Sequence, residues 1–322
     1  MFGRAVAVKA SKAVGLYPAI RAALTARNRL IERIRNVTKG WAAARDRLTG
    51  KLRDRFEVWR NIPRRAAYVY RYYAWRIRPA WAWLFSSREL SNFTYDLTDR
   101  GKIHVVHAVS IAAGCTARDA LLWIDELVGD DALRRSIVEF VADSGGRYVT
   151  DARADYGRRI GWYVLVRATK PKLVVETGVD KGLGSVVLCA ALKHNSAEGF
   201  PGRYIGTDIN PSAGELLLAP YSEFGEIAYG DSLASLENIH QPIDLFINDS
   251  DHSADYERRE YQLIAPKLSP GAIIIGDNAH VSDELAMFAA ETGRKFLAVR
   301  ELPKDHWYLG ATMGLAFQND AS

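Results

Sequence analysis

Cysteine is nearly absent from this 322-residue chain, with Cys115 and Cys189 the only two. Two thiols make neither a disulfide framework nor a cysteine-based zinc site, and their scarcity points to a reducing, cytoplasmic setting. Cys189 falls in an apolar helical pattern, where a buried, inert thiol is expected. Long apolar runs are missing too. No stretch of about 18 uncharged apolar residues occurs, which argues against a transmembrane helix. Acids are absent before Glu32 while arginines are spaced through the same stretch, as in organelle transit peptides. The basic pattern continues well past the usual length of such a peptide, and the compact apolar core of a secretory signal is lacking. No internal repeat is visible. With 48% hydrophobic and 25% charged residues, the composition suits one large folded domain plus an extension.

Charge is unevenly spread. Residues 1–80 hold 20 Lys/Arg against 4 Asp/Glu, a net +16; the chain totals +5, so the rest carries −11. From Ile20 the large apolar residues Leu24, Ile31, Ile34, Trp41, Leu48, Leu52, Phe56 and Trp59 trace one helical face, with basic residues on the others. Gly40 and Gly50 are points of interruption and Pro63 is an end signal. An aromatic segment follows, Tyr68 to Phe85, mixing Tyr68, Tyr70, Tyr72, Tyr73, Trp75, Trp81, Trp83 and Phe85 with Arg71, Arg76 and Arg78. Residues 1–85 therefore suit an anionic membrane surface, as a peripheral contact at its inner face. Packing against another domain or a second copy in a homo-oligomer fits the same pattern, and the charge alone would attract nucleic acid.

Residues 103–145 carry two or three helical patterns, broken at Gly145-Gly146, and a further helix spans Tyr156 to Arg167. After that, short apolar strands and helices alternate. The strands are Leu173–Val175, Arg203–Thr207, Ile227–Tyr229, Ile243–Asn248, Ala272–Gly276, Phe296–Glu301 and Gly310–Phe317. The helices are Ser185–Lys193, Ser212–Ala219, Ala254–Lys267 and Asp283–Glu291. Such alternation implies an α/β fold, a doubly wound and mostly parallel seven-stranded sheet covered on both faces. The organisation expected is a basic helical extension over 1–90, a helical cap or substrate-side segment over 91–150, and a ligand-binding domain over 151–322.

The first strand ends in Glu176-Thr177-Gly178-Val179-Asp180-Lys181-Gly182-Leu183-Gly184-Ser185. A buried strand feeding a helix through glycines brings bare backbone N–H groups near a ligand, and the acid accepts hydrogen bonds from an amine or hydroxyl. Asp208 ends the second strand, where an acid meets ribose hydroxyls in doubly wound nucleotide folds. Tyr229-Gly230-Asp231-Ser232 ends the third. The fourth runs into Asp249-Ser250-Asp251-His252 and the fifth into Asp277-Asn278. Adjacent parallel strands deliver their C-terminal ends to one crevice, so Asp249, Asp277 and Asn278 are placed to converge. Three hard oxygens suit Mg²⁺ better than zinc.

The glycine fingerprint resembles motif I of the class I S-adenosylmethionine-dependent methyltransferases. Over about residues 150–317 the chain is similar to the metal-dependent small-molecule O-methyltransferases, the group of the catechol, caffeoyl-coenzyme A, macrolide-sugar and cephalosporin-pathway enzymes. The resemblance implies S-adenosylmethionine held by Glu176, Gly178, Gly182, Ser185 and Asp208, with Asp231 and Ser232 at the adenine. It implies Mg²⁺ on Asp249, Asp277 and Asn278, binding an acceptor hydroxyl of a small molecule such as a sugar, glycan or natural product. His252, three positions after the first acid, would then be the general base. His280 and His306 are further candidates. Two other readings stay open: methylation of nucleic acid or protein, and a non-methyltransferase, either a nicotinamide enzyme or a membrane-docked module that binds nucleotide without turnover. The first lacks an Asn-Pro-Pro-Tyr-like tetrad after strand four, and Gly178 to Gly182 departs from the dinucleotide G-x-G-x-x-G pattern.

Overall fold

In the computed structural model the described residues are 17–143 and 149–318. The Gly145-Gly146 break and the first part of the transit-peptide-like stretch lie outside them. The chain divides into two compact units, between Ala74 and Trp75.

The N-terminal unit is helical. Helix α1 spans Tyr17–Arg60 and α2 spans Ile62–Ser86. Gly40 and Gly50 do not interrupt α1: each adds about 1 kcal/mol of local cost, which a long arginine- and alanine-rich helix absorbs. Pro63 opens α2 instead of ending α1. In the first turn its missing N–H has no partner to lose. The apolar face is uncovered, with Trp41 75% and Trp59 71% exposed. Among the described residues no single helix is long and apolar enough to cross a membrane.

In the second unit, α3 (Asp99–Ala113), α4 (Ala117–Val128) and α5 (Asp131–Asp143) precede α6 (Arg159–Thr169). Strands and helices then alternate: β1 (Leu173–Thr177), α7 (Leu183–Ala197), β2 (Arg203–Asp208), β3 (Gly225–Tyr229), α8 (Ser232–Glu237), β4 (Ile243–Asn248), α9 (Ala254–Ile264), β5 (Leu268–Gly276), α10 (Glu284–Glu291), β6 (Lys295–Arg300) and β7 (Thr312–Phe317). The seven strands lie in the order β3-β2-β1-β4-β5-β7-β6. β7 runs antiparallel to both its neighbours, and the pairs among β1 to β5 are parallel.

Side chains alternate across the sheet, so each strand feeds two cores. Val174, Leu245, Ile247, Ile273 and Ile275 face α6 and α7, in a cluster that also takes in α3, α4 and α5. Leu173, Val175, Phe246 and Ile274 face the other way, towards Tyr261, Leu285 and Phe288 of α9 and α10. Ile243 belongs to the second cluster, and the pairing of β4 with β5 shifts register between Ile243 and Leu245. The helical cap or substrate-side segment expected over 91–150 supplies α3, α4 and α5 to the first of these clusters. α6 is buried all round, from Ile160 to Arg167, and Cys189 is fully buried on α7, its thiol pushed up by desolvation.

One expected helix does not form. Residues 212–219 are turns and irregular chain, because Gly214 (φ 78°) takes the left-handed conformation and its N–H donates to Asp180 O at 2.7 Å. Leu216 N–H likewise donates to Lys181 O at 3.1 Å, so this segment braces the glycine turn.

Candidate active site

The C-terminal ends of β1, β2, β4 and β5 surround a cavity of about 640 Å³. The chain leaves β1 through Gly178 (φ 82°), Asp180 (φ 49°) and Gly182 (φ 91°). A Cβ on Gly178 would lie 2.0 Å from the Asp249 carbonyl oxygen, so this position is glycine both for its backbone angle and for the close approach of the loop after β4. Asp208 fastens the turn: Oδ2 accepts from the N–H groups of Val179 (2.9 Å) and Asp180 (3.0 Å), and Oδ1 from Asn210 N (2.8 Å). Gly178, Asp208, Asp231 and Ser232 all line the cavity. Asp231 also caps α8, accepting from Ala234 N at 3.2 Å, and meets the Tyr256 hydroxyl at 3.3 Å.

Glu176 and Ser185, expected to touch a cofactor, lie behind the turn. The Glu176 carboxylate is buried and accepts from the Tyr204 hydroxyl and from Ser185 Oγ (3.2 Å). Burial pushes its pKa up to about 7, against the pull of the Tyr204 and Ser185 hydrogen bonds and of Arg159. Gly182 packs on Gly214 and does not line the cavity.

Asp249 and Asp277 do converge, but around Arg158. This residue precedes α6 and stands 119 positions before Asp277. Its Nε and Nη2 donate to the two Asp277 oxygens as a fork, and its Nη1 donates to the Tyr95 hydroxyl at 2.8 Å. Asp249 Oδ2 lies 3.8 Å from Nη2 and Glu301 Oε1 3.5 Å from Nη1. The Tyr95 hydroxyl in turn donates to Glu301 Oε2 at 2.6 Å. Burial works upward on Asp277, yet the Arg158 charge holds it below the ordinary carboxylate range. Burial and the Asp277 charge push Asp249 well above that range, which favours its protonated form.

His252 stands beside Asn278, whose Nδ2 donates to His252 Nε2 at 2.7 Å. Nδ1 therefore carries the proton of the neutral ring, and it faces Glu257 Oε1 at 3.4 Å. Glu257 is buried on α9 and is fixed by the Ser282 hydroxyl. The histidine is thus oriented as a base would be, with Asp249 Oδ1 3.6 Å from Nε2. The other two histidines are placed differently. His306 is buried against Tyr95 and Trp307, accepts from Tyr308 N at 3.0 Å and is pushed down by desolvation; His280 accepts from Thr312 N at 3.3 Å.

A divalent cation does not fit this cluster. Both Asp277 oxygens are taken by one guanidinium, and Asn278 turns its amide nitrogen to His252. The expected Mg²⁺ trio is brought together, but the carboxylate at its centre, Asp277, has both oxygens held by Arg158 and is closed to such an ion. Among the described residues no group of three or more His, Cys, Asp or Glu is placed to hold a metal. S-Adenosylmethionine fits better. The cavity offers the Asp208 and Asp231 carboxylates, and also Arg159, whose Nε and Nη1 are buried without a hydrogen-bond partner. An orphaned guanidinium edge beside a cavity matches a ligand carboxylate. Arg158, Arg159, Tyr95 and Glu257 escape a sequence reading; the one local sign is the pair of arginines immediately before α6.

Residues 175–279 match the family model described as "Methyltransferase domain". No curated protein matches the chain. Among solved structures, an O-methyltransferase from Bacillus cereus in complex with SAH is 16% identical, with TM-score 0.47 over 62% of this chain and 100% of that one. Cofactor-bound Rv0187 from MTB is 20% identical, with TM-score 0.47 over 62% and 95%. The O-methyltransferase TomG from Streptomyces achromogenes, involved in tomaymycin synthesis and bound to SAM, is 18% identical, with TM-score 0.44 over 58% and 89%. The matched residues 175–279 take in the glycine turn, Asp208, Asp231 and the ends of β4 and β5, so this part of the chain is similar to a methyltransferase domain.

Proposed function

We propose that this methyltransferase acts on a hydroxyl oxygen of a small molecule, such as a sugar, glycan or natural product. The observation that carries the reading is His252, held between buried Glu257 and Asn278 at the ends of β4 and β5. The cofactor supplies a sulfonium methyl to a nucleophile lying in line with it. On the protein side, Asp208 meets ribose hydroxyls, Asp231 and Ser232 face the adenine, and Arg159 takes the carboxylate. His252 Nε2 accepts the acceptor's proton once the Asn278 amide turns aside, and Glu257 stabilises the imidazolium that forms. Magnesium assistance is left out, because Arg158 stands in the expected metal position.

Calorimetric titration with S-adenosylhomocysteine tests the cofactor half, with micromolar affinity expected. Transfer of labelled methyl groups into small-molecule extracts, and not into RNA or protein, tests the acceptor half. Folded protein that ignores S-adenosylhomocysteine would end the reading.

A second observation concerns the arm. The exposed Leu24, Ile31, Ile34, Trp41, Leu48, Leu52, Phe56 and Trp59 lie along one basic helix, and we propose that they dock on an anionic membrane surface. Replacing Trp41 and Trp59 together by Glu is expected to release the protein from anionic liposomes. Unchanged flotation, with a change of oligomeric state, would assign the face to self-association.

A further inference from the structure

We infer that Arg158 is the resident cation of the acid cluster at the ends of β4 and β5, so that this enzyme binds no divalent metal there. The inference rests on the methyltransferase reading for the reaction served, but not for the cation itself.

The argument begins with donors and acceptors. A guanidinium has five N–H groups and no acceptor. Nε and one Nη2 hydrogen go to Asp277 and one Nη1 hydrogen goes to Tyr95, while Glu301 Oε1 and Asp249 Oδ2 lie 3.5 Å from Nη1 and 3.8 Å from Nη2. The Arg158 side chain is 7% exposed, Asp277 0% and Glu301 1%, while Asp249 is 18% exposed at the cavity. A metal ion entering here would displace the fork from Asp277 or share a carboxylate with it. The first strands a buried guanidinium; the second sets a dication against a monocation in a poorly screened interior.

The backbone is built to bring Arg158 to this place. Gly157 has φ 52°, and a Cβ there would lie 2.6 Å from the Tyr95 ring. The chain thus passes directly under Tyr95, whose ring is packed against His306 and Tyr308 and whose hydroxyl meets the guanidinium. Glu301 closes the arrangement from the end of β6, itself held by the Tyr308 hydroxyl (3.0 Å) and Ala311 N (2.9 Å). With three donors hydrogen-bonded to Asp277 and Tyr95 and two further carboxylates within 4 Å, Arg158 is a positioning residue. It anchors Asp277, and through the next residue it sets Asn278 against His252.

The test is Mn²⁺ titration of the full-length protein, read by loss of the free-ion electron paramagnetic resonance signal. S-Adenosylhomocysteine calorimetry, in Mg²⁺ and in EDTA, is run on the same preparation. Wild type is expected to leave Mn²⁺ free and to bind S-adenosylhomocysteine equally in both buffers. Arg158→Gln, which removes the charge and leaves a shorter polar side chain, is expected to gain saturable Mn²⁺ binding that Asp277→Asn abolishes; Arg158→Lys should stay silent. Stoichiometric micromolar Mn²⁺ binding by wild type, lost in Asp277→Asn, overturns the inference whether or not any Arg158 variant folds. A folded Arg158→Gln protein as silent as wild type overturns it too. Loss of S-adenosylhomocysteine binding throughout would count against the methyltransferase reading and leave the Mn²⁺ result standing.

Discussion

Glu176→Gln should make the protein less sensitive to rising pH. The wild-type carboxyl is buried behind the glycine turn, and desolvation lifts its pKa from 4.5 to about 7. A raised acid binds its proton more tightly in the folded state, so its contribution is harmless below the unfolded value. The cost then grows as pH rises from 4.5 through 7. A shift of about 2.5 units corresponds to about 3 kcal/mol, of which about 2.5 kcal/mol falls between pH 5 and pH 8. Glutamine keeps the shape and still accepts from the Tyr204 hydroxyl, but it never ionises. Urea unfolding of both proteins at pH 5 and pH 8 measures the difference. The variant should gain about 2.5 kcal/mol on wild type across that interval, whereas Asp249 and Glu260, also raised by burial, act in both proteins and largely cancel. A gap between the two proteins that is the same at pH 5 and pH 8 would refute the desolvation argument.

Gly178→Ala combines a left-handed backbone with a Cβ driven into the Asp249 carbonyl, and should cost more than about 2 kcal/mol in urea unfolding while sharply weakening S-adenosylhomocysteine binding. A stable variant with normal affinity would show that the two loops are not in fact so close. His252→Ala should slow methyl transfer by about 10²–10⁴-fold and barely change S-adenosylhomocysteine affinity. Glu257→Gln should fall between this variant and wild type, and full activity in either variant would move the base elsewhere.

What sequence could read was local. Strands announced themselves as short, largely apolar runs of three to eight residues, and the glycine turn and the acids at strand ends followed from that frame. Asp208 and Asp231 are at the cavity because each ends or follows a strand whose direction is fixed. Failures came where distant segments overrule a local pattern. Residues 212–219 look helical, but their backbone bonds to the turn after β1. Glu176 looks like a ligand acid, yet Tyr204 from β2 and Ser185 from α7 enclose it. Arg158 meets a tyrosine 63 positions before it and an aspartate 119 after it, a separation at which composition and spacing carry no signal.

The position of β7 bears on how the sheet is made. It is the last of the seven strands to leave the ribosome, yet it lies between β5 and β6. Until it arrives, β5 presents an open ladder edge along Ile274, Ile275 and Gly276, the residues that pair with Ala316, Leu315 and Gly314. A growing chain with six of the seven strands is therefore a half-sheet with an adhesive apolar border, the kind of intermediate that pairs with its neighbours. The sheet becomes continuous only once β7 has been made, which makes the closing strand a checkpoint on the domain.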